Sequence, residues 1–143
     1  VNDFELKLRK ALDKATANAP QAERDLVKVA SQAAQAVSAV TEGLATLELV
    51  SIREDGDPRP TYQLRLRRID SEAPASDLGV FRVSEGGYPI DRWATLRNWE
   101  ANLDKPERQH FNVGDLKGNF DYMFSQQDSK LVVLLNSLPK KKA

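Results

Sequence analysis

The feature that most constrains this chain is a change of rhythm at Gly43. Ahead of it, apolar residues recur every three or four positions, the spacing of one face of an α-helix. Behind it they recur every second position, the spacing of one face of a β-strand. A chain written this way places helix before sheet, and it must bury the helical stripe on one side of that sheet.

On the helical side, residues 3–18 put Phe4, Leu8, Ala11, Leu12 and Ala15 on one face and Lys7, Lys10 and Lys14 elsewhere. Asn18-Ala19-Pro20 reads as a break, because the residue ahead of a proline is pushed out of the α region and proline suits the first turn of a new helix. Residues 20–43 then carry Leu26, Val29, Ala30, Ala33, Val37 and Val40 at helical steps, with Gly43 as a left-handed stop. The stripe is largely alanine, which lets a neighbour approach closely. Two helices joined by so short a connector pair antiparallel, so the expectation is an N-terminal helical hairpin.

Beyond Gly43, Leu47, Leu49 and Ser51 alternate with Glu48, Val50 and Ile52, until Glu54-Asp55-Gly56-Asp57-Pro58-Arg59-Pro60 breaks the strand. The next strand alternates most cleanly, with Tyr62, Leu64 and Leu66 on a dry face and Gln63, Arg65 and Arg67 on a charged one. A third strand fits 78–84, a turn fits Glu85-Gly86-Gly87, and a fourth fits 88–93, where Pro89 belongs at an edge or a strand start. Consecutive strands with short turns make a four-stranded antiparallel meander. Residues 94–105 read either as a ragged helix through Trp93, Leu96, Trp99 and Leu103 or as a loop anchored by the two tryptophans.

From Asp115 the helical period returns through Leu116, Phe120, Met123 and Phe124 and again through Leu131, Leu134, Leu135 and Leu138. The polar stretch 125–130 divides it into two helices, with Asp128 or Ser129 capping the second. The fold class is therefore α+β, with the C-terminal helices packed on one sheet face. Residues 1–139 make one domain, and 140–143, with Lys140, Lys141 and Lys142, make a basic disordered tail. At 143 residues the chain is long enough for a core without staples. Val1 stands where an initiating methionine would, which leaves room for residues ahead of it.

Composition removes whole classes of chemistry. With no cysteine and His110 as the single imidazole, disulfides, thiol nucleophiles and the usual zinc, copper or haem sites cannot be assembled. Glu54-Asp55-Gly56-Asp57 lacks the ligand spacing of a calcium loop, and Gly114-Asp115-Leu116-Lys117-Gly118 lacks the strand and hydroxyl of a phosphate loop. Carboxylate pairs such as Asp70 with Glu72 and Asp55 with Asp57 follow from 21 acidic residues without further explanation. No catalytic residue, metal or cofactor is expected. His110 reads as an incidental loop or surface histidine. The longest apolar run, 131–135, is far too short to cross a bilayer, so the expectation is a cytoplasmic protein with no membrane partner.

The 21 basic and 21 acidic residues cancel, which argues against capture of nucleic acid by a whole-molecule field. Locally, Gln63, Arg65 and Arg67 project to one side, extended by Arg68 and by Arg53 and Arg82 on neighbours, and arginine forks suit phosphate or carboxylate. The bland reading is a solvated sheet face balanced by acids such as Glu48, Glu54 and Asp91. Trp93 and Trp99 divide in the same way between interface anchors and core filling. The candidate partner-binding set is thus Gln63, Arg65, Arg67, Arg68, Trp93 and Trp99. The expected function is a non-enzymatic protein-interaction module, such as an adaptor, an immunity or anti-toxin partner or a regulatory subunit, whose partner is another protein or a second copy as a homodimer. The alternative is a nucleic-acid binder working through the arginine face.

Overall fold

The computed structural model describes residues 2–52 and 56–138, and of residues 14–19 the backbone alone. Its elements are α1 (Asp3–Val40), β1 (Ala45–Ile52), β2 (Thr61–Arg68), β3 (Ser76–Ser84), β4 (Gly87–Trp93), α2 (Leu96–Ala101), β5 (Arg108–His110), α3 (Val113–Ser125) and α4 (Lys130–Asn136). The class is α+β, as the rhythm of the sequence requires. The sheet is an antiparallel meander in the order β1-β2-β3-β4-β5, one short strand more than the four expected. Arg53, Glu54, Asp55 and the 139–143 tail lie outside the described residues.

In place of the helical hairpin there is one helix of 38 residues with Pro20 inside it. Proline removes one i→i−4 hydrogen bond and strains the preceding turn, at a cost of about 3 kcal/mol in a helix interior. Sequence context keeps the helix going, because the apolar phase does not slip at the proline. Eighteen residues, about five turns at 3.6 residues per turn, separate Phe4 from Ala22, Leu8 from Leu26, Ala11 from Val29 and Leu12 from Ala30. The helix starts at Asn2, whose side chain accepts from the Glu5 amide at 2.7 Å. It ends in a left-handed turn with Glu42 at φ 53° and Gly43 at φ 82°, where the Gly43 amide reaches back to Ser38 O at 2.8 Å. Thr41 Oγ1 donates to Val37 O and accepts from the Ala45 amide, which fixes the exit of α1 against the start of β1.

The second half of α1 packs across the sheet. Ala22, Leu26, Val29, Ala30, Ala33 and Val37 meet Ala45, Leu47, Leu64, Leu66, Leu78, Phe81, Val83 and Ile90, with Leu116, Phe120, Met123 and Leu131 closing the side. Tyr88 Oη donates to Asp25 at 2.8 Å and Tyr62 Oη donates to Glu23, so two tyrosine–carboxylate bonds pin this half of the helix to β4 and β2. The two-helix ending holds as read: α3 and α4 are separate, and Ser129 caps α4 by accepting from the Val132 amide.

The opposite sheet face, expected to be open, is covered over β3 and β4. Residues 94–107 fold over it, with α2 in their middle, and form a second small core of Val80, Trp93 and Trp99 flanked by Ile52, Leu96 and Leu103. Beneath it lies a buried ion pair: Arg82 donates to Asp91 Oδ2 at 2.9 Å and to Leu103 O at 2.8 Å, and its guanidinium stands 4.8 Å from the centre of the Trp93 ring. Gln109 supplies the second carboxylate oxygen of Asp91 with a donor at 2.9 Å. Pro89 lies within β4 rather than at an edge or a start. The expectation fails harmlessly, because β5 pairs only with Ile90, Asp91 and Arg92 and no ladder bond is asked of the proline on that side.

Two cores on one meander require β3 to change phase, and a bulge does this. Leu64 faces Gly79 and Arg65 faces Asp77, so Leu78 is the extra residue. Leu78 thereby joins the helix-facing core, and Asp77 joins the other face. Gly79 sits at φ 129°, and a Cβ there would come 2.7 Å from Trp93 O. Gly79→Ala is expected to destabilise the fold by about 2 kcal/mol or more, read as a lower urea midpoint; an unchanged midpoint would show that β4 can move aside.

Candidate functional site

Glu48 of β1 lies opposite Arg65 of β2 in register. Its carboxylate serves two guanidiniums, accepting from Arg65 at 3.0 Å and standing 3.1 Å from Arg67. Arg68 pairs with Asp70 at 2.9 Å. Three arginines against two carboxylates leave one net positive charge where the sequence suggested three. Gln63 is only 8% exposed and donates to Asp77 Oδ1 at 3.1 Å. The same oxygen accepts from the Gly79 amide, and Oδ2 accepts from the Leu96 amide at the start of α2. Gln63 therefore belongs to the joint that holds the bulge, not to a contact surface. Arg82, expected to extend the patch, is buried with Asp91.

The tryptophans also turn inward. Trp93 is fully buried and donates Nε1 to Asn102 O at 2.9 Å, while Trp99 is 8% exposed. Of the six residues picked from sequence for partner contact, Gln63, Trp93 and Trp99 are interior. Arg65, Arg67 and Arg68 reach solvent only as members of ion pairs.

The exposed apolar side chains lie elsewhere. A sheet strand of eight residues spans about 27 Å, whereas α1 spans about 57 Å, so the helix overshoots the sheet. Every residue from 2 to 13 is exposed, including Phe4 at 83%, Leu8 at 61% and Leu12 at 58%. These side chains share the face that, five turns later, packs on the sheet. Sequence reasoning found the stripe but assigned it to the inside of a hairpin; the signal it passed over was the unbroken phase across Pro20.

His110 is neither loop nor surface. It pairs with Ile90 across β4 and β5 and faces the helix side of the sheet, 6.4 Å from the Phe81 ring. It is 5% exposed, and burial lowers its pKa from the usual 6.5, with the Arg92 charge acting in the same direction. Among the described residues no cluster of acidic or imidazole side chains could hold a metal ion, and no helix is long and apolar enough to cross a membrane. No family model, curated protein or solved structure matches the chain.

Two outcomes follow from this charge arrangement. Glu48→Ala releases Arg65 and Arg67, so retention on heparin is expected to move to higher salt; stability changes by only about 1 kcal/mol or less, because the pairs are partly exposed. Identical retention would show that Glu48 does not mask them. For His110, the unfolded chain titrates near 6.5 and the folded chain lower, so the unfolded state holds more protons in the window between them. Stability is expected to be full above pH 6.5 and to decline as pH falls through that window. In urea titrations at stepped pH, His110→Gln should lack this part of the slope, and parallel slopes for the two proteins would contradict it.

Proposed function

We propose that the chain is a non-enzymatic protein-interaction module that self-associates through the first three turns of α1. The observation that carries this reading is the exposed pair of Phe4 and Leu8, presented on a preformed helix and in phase with the buried stripe of the same helix. A helix of that length without a partner face would leave its apolar residues in water, and contiguous apolar patches of this kind mark association sites.

The charges of the arm favour a second copy over a membrane or nucleic acid. Between residues 3 and 13, Asp3, Glu5 and Asp13 balance Lys7, Arg9 and Lys10, so the arm carries no net field to draw it to a polyanion. A stripe on one helix that meets the same stripe on another forms an isologous contact, the usual geometry of a two-fold dimer. The pairing of Glu48 with Arg65 and Arg67 supports the same reading by reducing the field of the arginine face.

Sedimentation equilibrium tests this. The wild type is expected to show a monomer–dimer equilibrium, whereas Leu8→Glu and Phe4→Glu remain monomeric with an unchanged circular dichroism spectrum, since both positions are exposed and no core contact is lost. A wild type that stays monomeric at all concentrations reached, or a Leu8→Glu variant that still dimerises, overturns self-association through the arm.

A further inference from the structure

Between β5 and the first three turns of α3 runs an open groove of about 610 Å³. Arg108 and His110 line one wall, and Gly114, Gly118, Asn119 and Tyr122 line the other. The two glycines stand one helical turn apart and open the α3 wall between the side chains of Asp115, Asn119 and Tyr122, and a Cβ at Gly118 would meet nothing within 4 Å.

The groove contains two polar side chains that the fold has buried without satisfying. His110 is 5% exposed and Asn119 9%, and among the described residues neither His110 Nε2 nor Asn119 Oδ1 has a hydrogen-bond partner. Buried polar atoms are ordinarily paired, because an unpaired one costs about 1–3 kcal/mol. Arg65 Nε, Arg82 Nε, Arg92 Nε and Trp99 Nε1 are also without partners among the described residues, but only His110 and Asn119 of this group line the groove, one from each wall.

The electrostatics point to its sign. Arg108 stands directly opposite Arg92 on the β4–β5 ladder, and among the described residues neither forms an ion pair. Like charges facing each other across a ladder are unfavourable. Arg92 is held over the Phe81 ring, 5.7 Å from its centre, which leaves Arg108 at the groove. The N-terminal end of α3, at Val113 and Gly114, adds its positive end to the same space. Asp115 is the one carboxylate in the lining among the described residues. One of its oxygens already accepts from the Phe111 amide at 3.0 Å, which closes the cap in which Asn112 accepts from the Asp115 amide at 2.8 Å.

We propose that this groove binds a small oxyanion, a phosphate or a carboxylate, between Arg108, the N-terminal end of α3 and the His110 imidazole, with Asn119 Oδ1 accepting from the P–OH group when the ligand is a protonated phosphate. The arrangement is independent of the α1 arm, and either can fail without the other. Binding here gives the module a chemical input close to the third helix, which packs on α1 at Phe120.

His110 is the only histidine, so its imidazole gives a single NMR signal that reports on the groove. The full chain is titrated separately with inorganic phosphate and with acetate, against sodium chloride at matched ionic strength. A saturable shift of the imidazole signal with phosphate, with acetate or with both, and a rise in the pH at which the imidazole titrates, are expected; which anion saturates identifies the class. Arg108→Gln should weaken the response about tenfold or more. Gly118→Leu fills the groove from the helix side and should abolish the response while melting no lower than wild type. No saturable shift with either anion, a shift equal to that of chloride, or a saturable shift that survives both substitutions overturns the proposal.

Discussion

The fold depends on one displaced residue. Had β3 paired with β2 without the extra residue at Leu78, strict alternation would have set Leu78 on the same face as Val80 and left the helix-facing core short of a large side chain. The bulge puts Leu78 with α1 and sends Asp77 to the opposite face, where its two carboxylate oxygens bind the Gln63 side chain, the Gly79 amide and the Leu96 amide. Through that single carboxylate the sheet is joined to the segment that covers its second face. Only glycine meets the backbone demand at position 79, since φ is positive and the Trp93 carbonyl lies where a side chain would begin.

With one sheet face covered by α1 and the other covered over β3 and β4, polar groups had to be buried, and the Arg82–Asp91 pair meets several of them locally. Arg82 and Asp91 form a dry pair whose remaining contacts go to a carbonyl, an amide and an aromatic face. Removing two charges from water is costly, and these contacts offset part of that cost, while Arg82 Nε is left without a partner among the described residues. The open side of β1 and β2 follows the same economy at lower stakes, with Glu48 shared between Arg65 and Arg67. What stands apart is the region of β5 and α3, where His110 and Asn119 are buried without partners and Arg92 faces Arg108. Arg65 Nε, Arg82 Nε and Trp99 Nε1 are also left without partners among the described residues, but they are scattered, whereas His110 and Asn119 line one groove.

The other asymmetry is mechanical. A helix that outruns the sheet it packs on carries its apolar face past the core into solvent, and α1 does so for its first three turns. Phe4 and Leu8 lie in phase with Ala22 and Leu26, so one face of the helix is surface at one end and core at the other. The two features lie on different elements: the arm on the N-terminal half of α1, and the groove between β5 and α3. They are joined through the other half of α1, on which both α3 and β4, the neighbour of β5, pack.

By itself the sequence determined what depends on near neighbours: the α+β class from the change of period at Gly43, the antiparallel meander from short turns, the buried faces of β1 and β2, the two C-terminal helices, and Ser129 as a cap. It also fixed the lack of thiol chemistry and the single imidazole. Tertiary structure alone decided the fate of groups whose partners lie far along the chain. Whether Arg65 is free or held depends on Glu48, 17 positions away. Whether Gln63 is wet depends on Asp77, and whether Trp93 is core depends on a cover that begins only after it. Pro20 shows the same limit, because local preference favours a break there while the phase of the stripe and the packing of Ala22 and Leu26 keep the helix whole. Periodicity reports which way a side chain points. What it then meets is set by the strands and helices that arrive from elsewhere, since hydrogen bonds and ion pairs reach only a few ångströms in space and are indifferent to distance in sequence.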